Sequence, residues 1–350
     1  MQEEVTDLLS KKTLQPVHAI VALAMALAAF PATGLEGPLD RDGHLGRRIV
    51  SPKTAGDDRD LDLDKYLKGG FVERSSVDLV MVPAIVADRK GRPVLDLGPD
   101  NFILMEEGRP QRIEYFARDL SQPVSMAFVL DVSGSMRMSG NVETAKNAVR
   151  TFLSSLRPND EAALIAFADR QVAELTGFST DRTELRKYLA AVKAYGQTAL
   201  NDAVASTPEM VNRNHQGRKA IVLLTDGVDN YSSLSLEQAL KAARAVDVPI
   251  YCLGFADESA PNPDPKQVSQ AEAVLRQVSE ETGGSFSLVR TPEDVQAAIS
   301  RIQEDLRNQY VLGYTPKAAT RDGRFRRISL MVADRINLTV RARKGYVLNP

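Results

Sequence analysis

Asp131-Val132-Ser133-Gly134-Ser135 sets three oxygen-bearing side chains at every second position of one short stretch. A tight loop of this kind can aim a carboxylate and two hydroxyls at one point, and Gly134 leaves the backbone free to turn. Two later stretches carry matching chemistry. Gly196-Gln197-Thr198-Ala199-Leu200 offers a hydroxyl, and Leu223-Leu224-Thr225-Asp226-Gly227 offers a second carboxylate. Asp131, Ser133, Ser135, Thr198 and Asp226 together present only oxygen. That is the donor set of a hard dication, and Mg²⁺ takes about six oxygens at short distance. Two carboxylates balance two positive charges, whereas the three hydroxyls are neutral and weak donors of charge. A metal held this way stays electron-poor and favours a carboxylate from outside. None of the three loops contains a histidine. Hydrolytic metal sites usually keep a general base beside the metal-bound water, a role that Asp131 or Asp226 could fill only in principle. The expectation is therefore a binding device. A structural envelope protein with a vestigial site and a metal-dependent hydrolase are the alternatives.

The elements that must position these loops are legible around them. Val124–Leu130 is a continuous apolar run, as a strand buried on both faces requires. Ala145, Ala148, Val149, Phe152, Leu153 and Leu156 repeat at helical spacing up to Pro158. Ala162–Phe167 and Val172–Leu175 read as a hairpin that places an antiparallel strand at a sheet edge. Asp181 with Glu184 opens a helix, and another follows Thr198. Ala220–Leu224 is a buried strand, Ser235 with Gln238 forms a capping box, and Ile250–Phe255 is a further strand. A helix runs up to Gly283-Gly284, then a strand covers Ser285–Val289, and Thr291-Pro292 opens the last helix. Alternation of this kind predicts a mostly parallel sheet with helices on both faces, and ligands collect at the carboxyl ends of such strands.

On either side the period is β. A run through Val77, Leu79, Val80, Val82 and Ile85 ends at the turn Asp88-Arg89-Lys90-Gly91. Phe102–Met105, the turn Glu107-Gly108, then Ile113 and Tyr115 read as a hairpin. Tyr310–Tyr314, Phe325–Val332 and Leu338–Ala342 are strands. Neither flank is large enough for a comfortable core of its own, so the two are expected to pack together as a β-sandwich into which the α/β domain is inserted.

With 44 basic and 46 acidic residues the chain has no global field to draw nucleic acid, and glycine signatures for nucleotide phosphates are absent. One cysteine, Cys252, excludes an intrachain disulfide; with three histidines it also excludes the usual Cys/His zinc site. Cys252 reads as an inert core thiol, His215 as solvated, Asp229 and Asn230 as solvated turn residues near the rim, and the Arg321–Arg327 cluster as a solvated turn. The loop Glu258–Pro265 reads as surface, at the strand end where a partner surface would lie. Val17–Phe30 is shorter than the roughly 20 residues that span a bilayer. It suits the apolar region of a secretory signal, with Lys11 and Lys12 before it and Ala26-Leu27-Ala28 as a cleavage pattern, although Glu3, Glu4 and Asp7 acidify its start. Export to the periplasm or outside, with no transmembrane span in the mature chain, is the expectation. The chain thus divides into 1–30 as signal or hydrophobic segment, 31–74 as disordered linker, and 75–120 as β region. The α/β domain takes 121–307 and a second β region 308–350.

Asp-x-Ser-x-Ser, Gly-x-Thr-Ala-Leu and Thr-Asp-Gly after a buried strand resemble the metal-ion-dependent adhesion site of von Willebrand A domains, over about 124–307. The flanks resemble a bacterial exported subfamily with a Tyr-x-x-Gly-Tyr-x-Pro stretch, here Tyr310 to Pro316. The resemblance implies a Rossmann-like domain and ligation of Mg²⁺ or Mn²⁺ by Asp131, Ser133, Ser135, Thr198 and Asp226. It also implies a missing ligand supplied by an Asp or Glu of a partner protein.

Overall fold

A computed structural model describes residues 79–118, 122–212, 218–256, 265–316, 322–333, 335 and 337–347. The expected signal segment and linker, His215, Arg321 and most of the Glu258–Pro265 loop lie outside the described residues. Two flanking β regions enclose an α/β domain, as the sequence predicts. The first flank contributes β1 (Val80–Ala87), β2 (Phe102–Glu106), β3 (Arg109–Gln111) and β4 (Tyr115–Ala117). The α/β domain runs β5 (Val124–Asp131), α1 (Gly134–Met138), α2 (Asn141–Ser155), β6 (Glu161–Ala168), β7 (Gln171–Ser179), α3 (Thr183–Ala191), α4 (Leu200–Asn212) and β8 (Arg218–Thr225). It continues with α5 (Leu236–Arg244), β9 (Ile250–Phe255), α6 (Pro265–Thr282), β10 (Phe286–Val289) and α7 (Pro292–Arg307). The second flank adds β11 (Tyr310–Tyr314), β12 (Phe325–Val332), β13 (Thr339–Ala342) and β14 (Gly345–Val347).

The central sheet has the order β10-β9-β8-β5-β6-β7. Its pairings are parallel except β6 with β7, which closes the edge as an antiparallel hairpin. All eight residues of β5 are buried. Met126, Phe128 and Leu130 face one core with α2, α3 and α7, while Ala127 and Val129 face the other with α4, α5 and α6. The two-residue period divides the run between the cores, and each fully buried Phe or Leu side chain contributes about 1.5–3 kcal/mol. Ser235 and Thr291 each accept a hydrogen bond from the backbone N–H three residues on, starting α5 and α7 where the sequence predicts them. The first helix is broken into two pieces, α1 and α2, which the sequence periodicity did not resolve.

The flanks form two four-stranded sheets, β13-β1-β11-β4 and β14-β12-β2-β3. Val82, Phe102, Leu104, Tyr310, Leu312, Tyr314 and Ile328, drawn from both sheets, share one core. The expected hairpin from Phe102 to Tyr115 is corrected. Glu107 and Gly108 both take positive φ, 48° and 73°, so a two-residue turn returns the chain at once into β3. Pro110 lacks an N–H to donate, and it is tolerated because β3 is an edge strand. Tyr115 leaves for the opposite sheet, where β4 pairs with β11.

The Tyr-x-x-Gly-Tyr stretch lies on β11, and both rings point into this core. The Tyr310 hydroxyl donates to Val94 O at 2.9 Å and accepts from Leu97 N at 3.2 Å. Tyr314 donates to Glu106 Oε2 at 2.6 Å, and Tyr346 donates to the same oxygen at 2.8 Å. Arg326 is also buried and lies 3.2 Å from Asp322, so the basic cluster is not wholly a solvated turn. Arg341 bonds Asp305 of α7 at 2.5 Å, and Arg343 bonds Met81 O at 2.5 Å while lying 3.6 Å from Asp247. The contacts with Asp305 and Asp247 tie the sandwich to the α/β domain. No helix among the described residues is long and apolar enough to cross a membrane.

Removing one hydroxyl from the buried Glu106 cluster leaves a carboxylate short of a partner. Tyr314→Phe is expected to lower unfolding free energy by about 1–3 kcal/mol in chemical denaturation.

Candidate functional site

The parallel register of β5 and β8, with Leu130 opposite Leu224, brings the loops that follow them side by side at the carboxyl edge. Asp131 ends β5, is fully buried, and is held from two sides. Its Oδ1 accepts from Ser133 N at 2.9 Å, and its Oδ2 accepts from Thr225 Oγ1 at 2.5 Å. The Thr225 hydroxyl accepts in turn from Gly227 N at 3.0 Å, fixing the turn that carries Asp226. Asp226 Oδ1 accepts from Val228 N at 3.2 Å. The hydroxyls converge as well. Ser133 Oγ and Ser135 Oγ lie 3.0 Å apart, and Ser135 Oγ lies 3.5 Å from Thr198 Oγ1. Ser133 and Thr198 are buried beside Asp131.

Electrostatically this is an unfavourable place for bare carboxylates. Burial and the neighbouring Asp226 charge push the Asp131 carboxyl up to about 7, against the downward pull of the Thr225 and Ser133 hydrogen bonds. A dication among these oxygens removes that conflict, because opposite charge favours the ionised acid. The donor set, all oxygen with two carboxylates, matches Mg²⁺ or Mn²⁺ chemistry. Among the described residues no group of three or more His, Cys, Asp or Glu is placed to hold a metal. The cluster is distinct from such sites because hydroxyls make up most of its donors.

The middle loop is positioned by backbone bonds to the first. Tyr195 N donates to Val132 O at 2.7 Å and Gly134 N to Gly196 O at 2.9 Å. Asp169, at the tip of the β6–β7 hairpin, exchanges bonds with Gln197: its N donates to Gln197 O at 2.7 Å and its Oδ1 accepts from Gln197 N at 2.8 Å. Asp169 sits so close to Gly196 that an added Cβ would lie 2.4–2.6 Å from its carboxylate, and Gly196 has φ +71°.

Asp229 and Asn230 are exposed, but they are not merely solvated turn residues. Asn230 Oδ1 accepts from Thr198 N at 2.9 Å, and Asn230 N donates back to Thr198 O at 3.0 Å. Asp229 accepts from Leu200 N at 2.9 Å and Asn201 Nδ2 at 3.1 Å, satisfying the start of α4. Asp202, buried in α4, accepts from Ser233 N at 3.0 and 3.1 Å and Leu234 N at 3.0 Å. Thr225, Asp169 and Asp202 were not singled out from the sequence. Only Thr225 carried a usable signal, the hydroxyl directly before the Asp-Gly pair. Cys252 is buried in β9 and its thiol is pushed up to about 12 by burial, which leaves it no thiolate for chemistry.

Gly196→Ala meets both the positive φ and the Asp169 carboxylate. It is expected to cost about 1–3 kcal/mol of stability, measured by denaturant titration.

Residues 126–228 match the family model for the von Willebrand factor type A domain. Among curated relatives, the inter-alpha-trypsin inhibitor heavy chain H4 of Bos taurus is 27% identical over 192 residues, covering 50% of this chain and 21% of that one. An uncharacterized protein of Borreliella burgdorferi is 28% identical over 199 residues, covering 51% of this chain and 58% of its own length. The chain thus spans less than two thirds of either relative. A solved von Willebrand factor type A structure from Catenulispora acidiphila is 14% identical, with 80% of this chain and 76% of that chain covered and a TM-score of 0.44. All five oxygen-bearing residues fall inside the matched stretch, and the chain carries a von Willebrand factor type A domain.

Proposed function

We propose that this domain is a protein-binding module of adhesion type. In this reading Asp131, Ser133, Ser135, Thr198 and Asp226 hold one Mg²⁺ or Mn²⁺, and a partner protein presents an Asp or Glu carboxylate to it. The observation that carries the reading is the gathering of oxygen donors from three separate loops around the buried Asp131 carboxylate. When bound, the metal supplies a Lewis-acidic centre open to an external carboxylate. The chain's own residues do the rest. Asp131 and Asp226 supply the negative charge, Thr225 and the Ser133 N–H orient Asp131, and Asn230 and Asp229 hold the Thr198 loop against the Asp226 loop.

A binding role is favoured over hydrolysis because none of the three loops supplies a histidine base, and Cys252 is too buried to act as a nucleophile. We place the mature protein outside the cytoplasm, on the strength of the apolar Val17–Phe30 segment with Ala26-Leu27-Ala28. A net charge of −2 gives no support to nucleic-acid binding.

Calorimetry on Asp131→Asn and Asp226→Ala is expected to show Mg²⁺ and Mn²⁺ binding abolished with the fold retained; unchanged affinity in both variants overturns the assignment. Thr225→Val keeps every proposed ligand but frees Asp131 Oδ2, and is expected to weaken metal affinity by about 10–100-fold. Turnover of generic ester and phosphate substrates is expected to stay at background. A metal-dependent rate that disappears in Asp131→Asn would replace the binding module with an enzyme.

A further inference from the structure

Beside the oxygen cluster lies a cavity of about 170 Å³ whose walls include Ser135, Asp226, Val268, Ala271, Leu275 and Phe286. Two of these are proposed metal ligands, so the cavity and the cluster share a wall. The other four come from α6 and from β10, and they are apolar. An engineered apolar cavity of about 150 Å³ accepts benzene, so the space suits one side chain of leucine or phenylalanine size. The acids on its rim are Asp226 and Glu272, which disfavour a second carboxylate there.

A second observation points to the same edge. Between residues 124 and 307, the large apolar side chains exposed among the described residues are Met138 at 77%, Val228 at 40%, Tyr231 at 39% and Val268 at 36%. Each follows the carboxyl end of a central strand: Met138 after β5, Val228 and Tyr231 after β8, and Val268 after β9. The Tyr231 ring is braced by the Arg170 guanidinium at 4.8 Å. Grouped exposed apolar side chains around a polar centre mark an interaction surface.

We infer that the pocket between α6 and β10 is a specificity subsite for an apolar side chain lying next to the partner's acidic residue. The recognised element is then a protein segment that presents a carboxylate and, within the same loop, one leucine- or phenylalanine-sized side chain. This inference rests on the metal-dependent reading above. It adds a second determinant, which separates this partner from other acidic segments.

The test uses the full chain loaded with Mg²⁺ and two carboxylates as probes, acetate and 4-methylpentanoate. Affinities are read by calorimetry, and contacts between ligand methyls and Val268 or Leu275 methyls by nuclear Overhauser effects. The branched acid is expected to bind at least about tenfold more tightly than acetate, from burial of its isobutyl group. Ala271→Leu fills the pocket and Val268→Asn removes part of its apolar wall. Both are expected to erase that preference while Mg²⁺ and acetate affinities stay unchanged. Val268 is partly exposed, so its variant keeps the test decisive even if Ala271→Leu fails to fold. Equal affinity for the two acids, or a preference that survives Val268→Asn without methyl contacts, overturns the subsite while Mg²⁺ and acetate still bind. Loss of Mg²⁺ binding in the wild-type chain instead removes the metal reading, and the subsite with it.

Discussion

Asp131 carries a carboxylate that is wholly buried at the end of a wholly buried strand, with a second acid beside it. Left alone, such a group is expensive to ionise. The surrounding structure answers that cost with the Thr225 hydroxyl on one oxygen and the Ser133 N–H on the other. The Ser133 N–H is local, two residues on, but the Thr225 hydroxyl reaches Asp131 only because β5 and β8 are adjacent and parallel and deliver their following loops to the same edge. The central sheet therefore does more than fill the domain: its strand order decides which loops meet Asp131.

The loop that brings Thr198 has a different logic. It leaves no long strand, so burial of Val192, Ala194 and Leu200 is joined by hydrogen bonds to Val132 and Gly134, to Asp169 and to Asn230. Asp229 and Asp202 fix the start of α4 against the segment that follows Asp226. Three loops are thereby locked to one another before any ligand is considered. Preorganisation of this kind removes part of the ordering cost that binding otherwise carries.

The flanks make a second body with its own polar centre. Glu106 accepts hydroxyls from Tyr314 of one sheet and Tyr346 of the other, joining both layers through one carboxylate. Arg341 and Arg343 then connect this body to α7 and to the segment after α5. The chain enters and leaves the α/β domain through neighbouring strands, β4 and β11, which pair directly. That arrangement leaves the carboxyl edge, at the opposite ends of the parallel strands, clear for the apolar rim and the pocket beside Asp226.

Much of this was legible in the residues. The short apolar runs at Val124–Leu130, broken only by Ser125, and Ala220–Leu224 fit strands buried on both faces, and the capping residues Ser235 and Thr291 marked helix starts because their side chains meet a purely local need. The spacing Asp131, Ser133, Ser135 identified a loop of converging oxygens for the same local reason. Other features depended on partners distant in sequence. The turn at Glu107-Gly108 sent Tyr115 to the opposite sheet, because β11 offered it a pairing edge. Asp229 and Asn230 look like ordinary turn residues until the N–H groups of Leu200 and Thr198, about thirty residues earlier in the chain, arrive to donate to their side chains. The sequence by itself determined most of the strand and helix segments and which side chains carry oxygen, since both follow from local spacing and side-chain chemistry. The tertiary structure alone decided which loops lock together, how deeply Asp131 is buried and where an apolar pocket opens beside it, since those depend on elements far apart in the chain coming within hydrogen-bonding and packing distance.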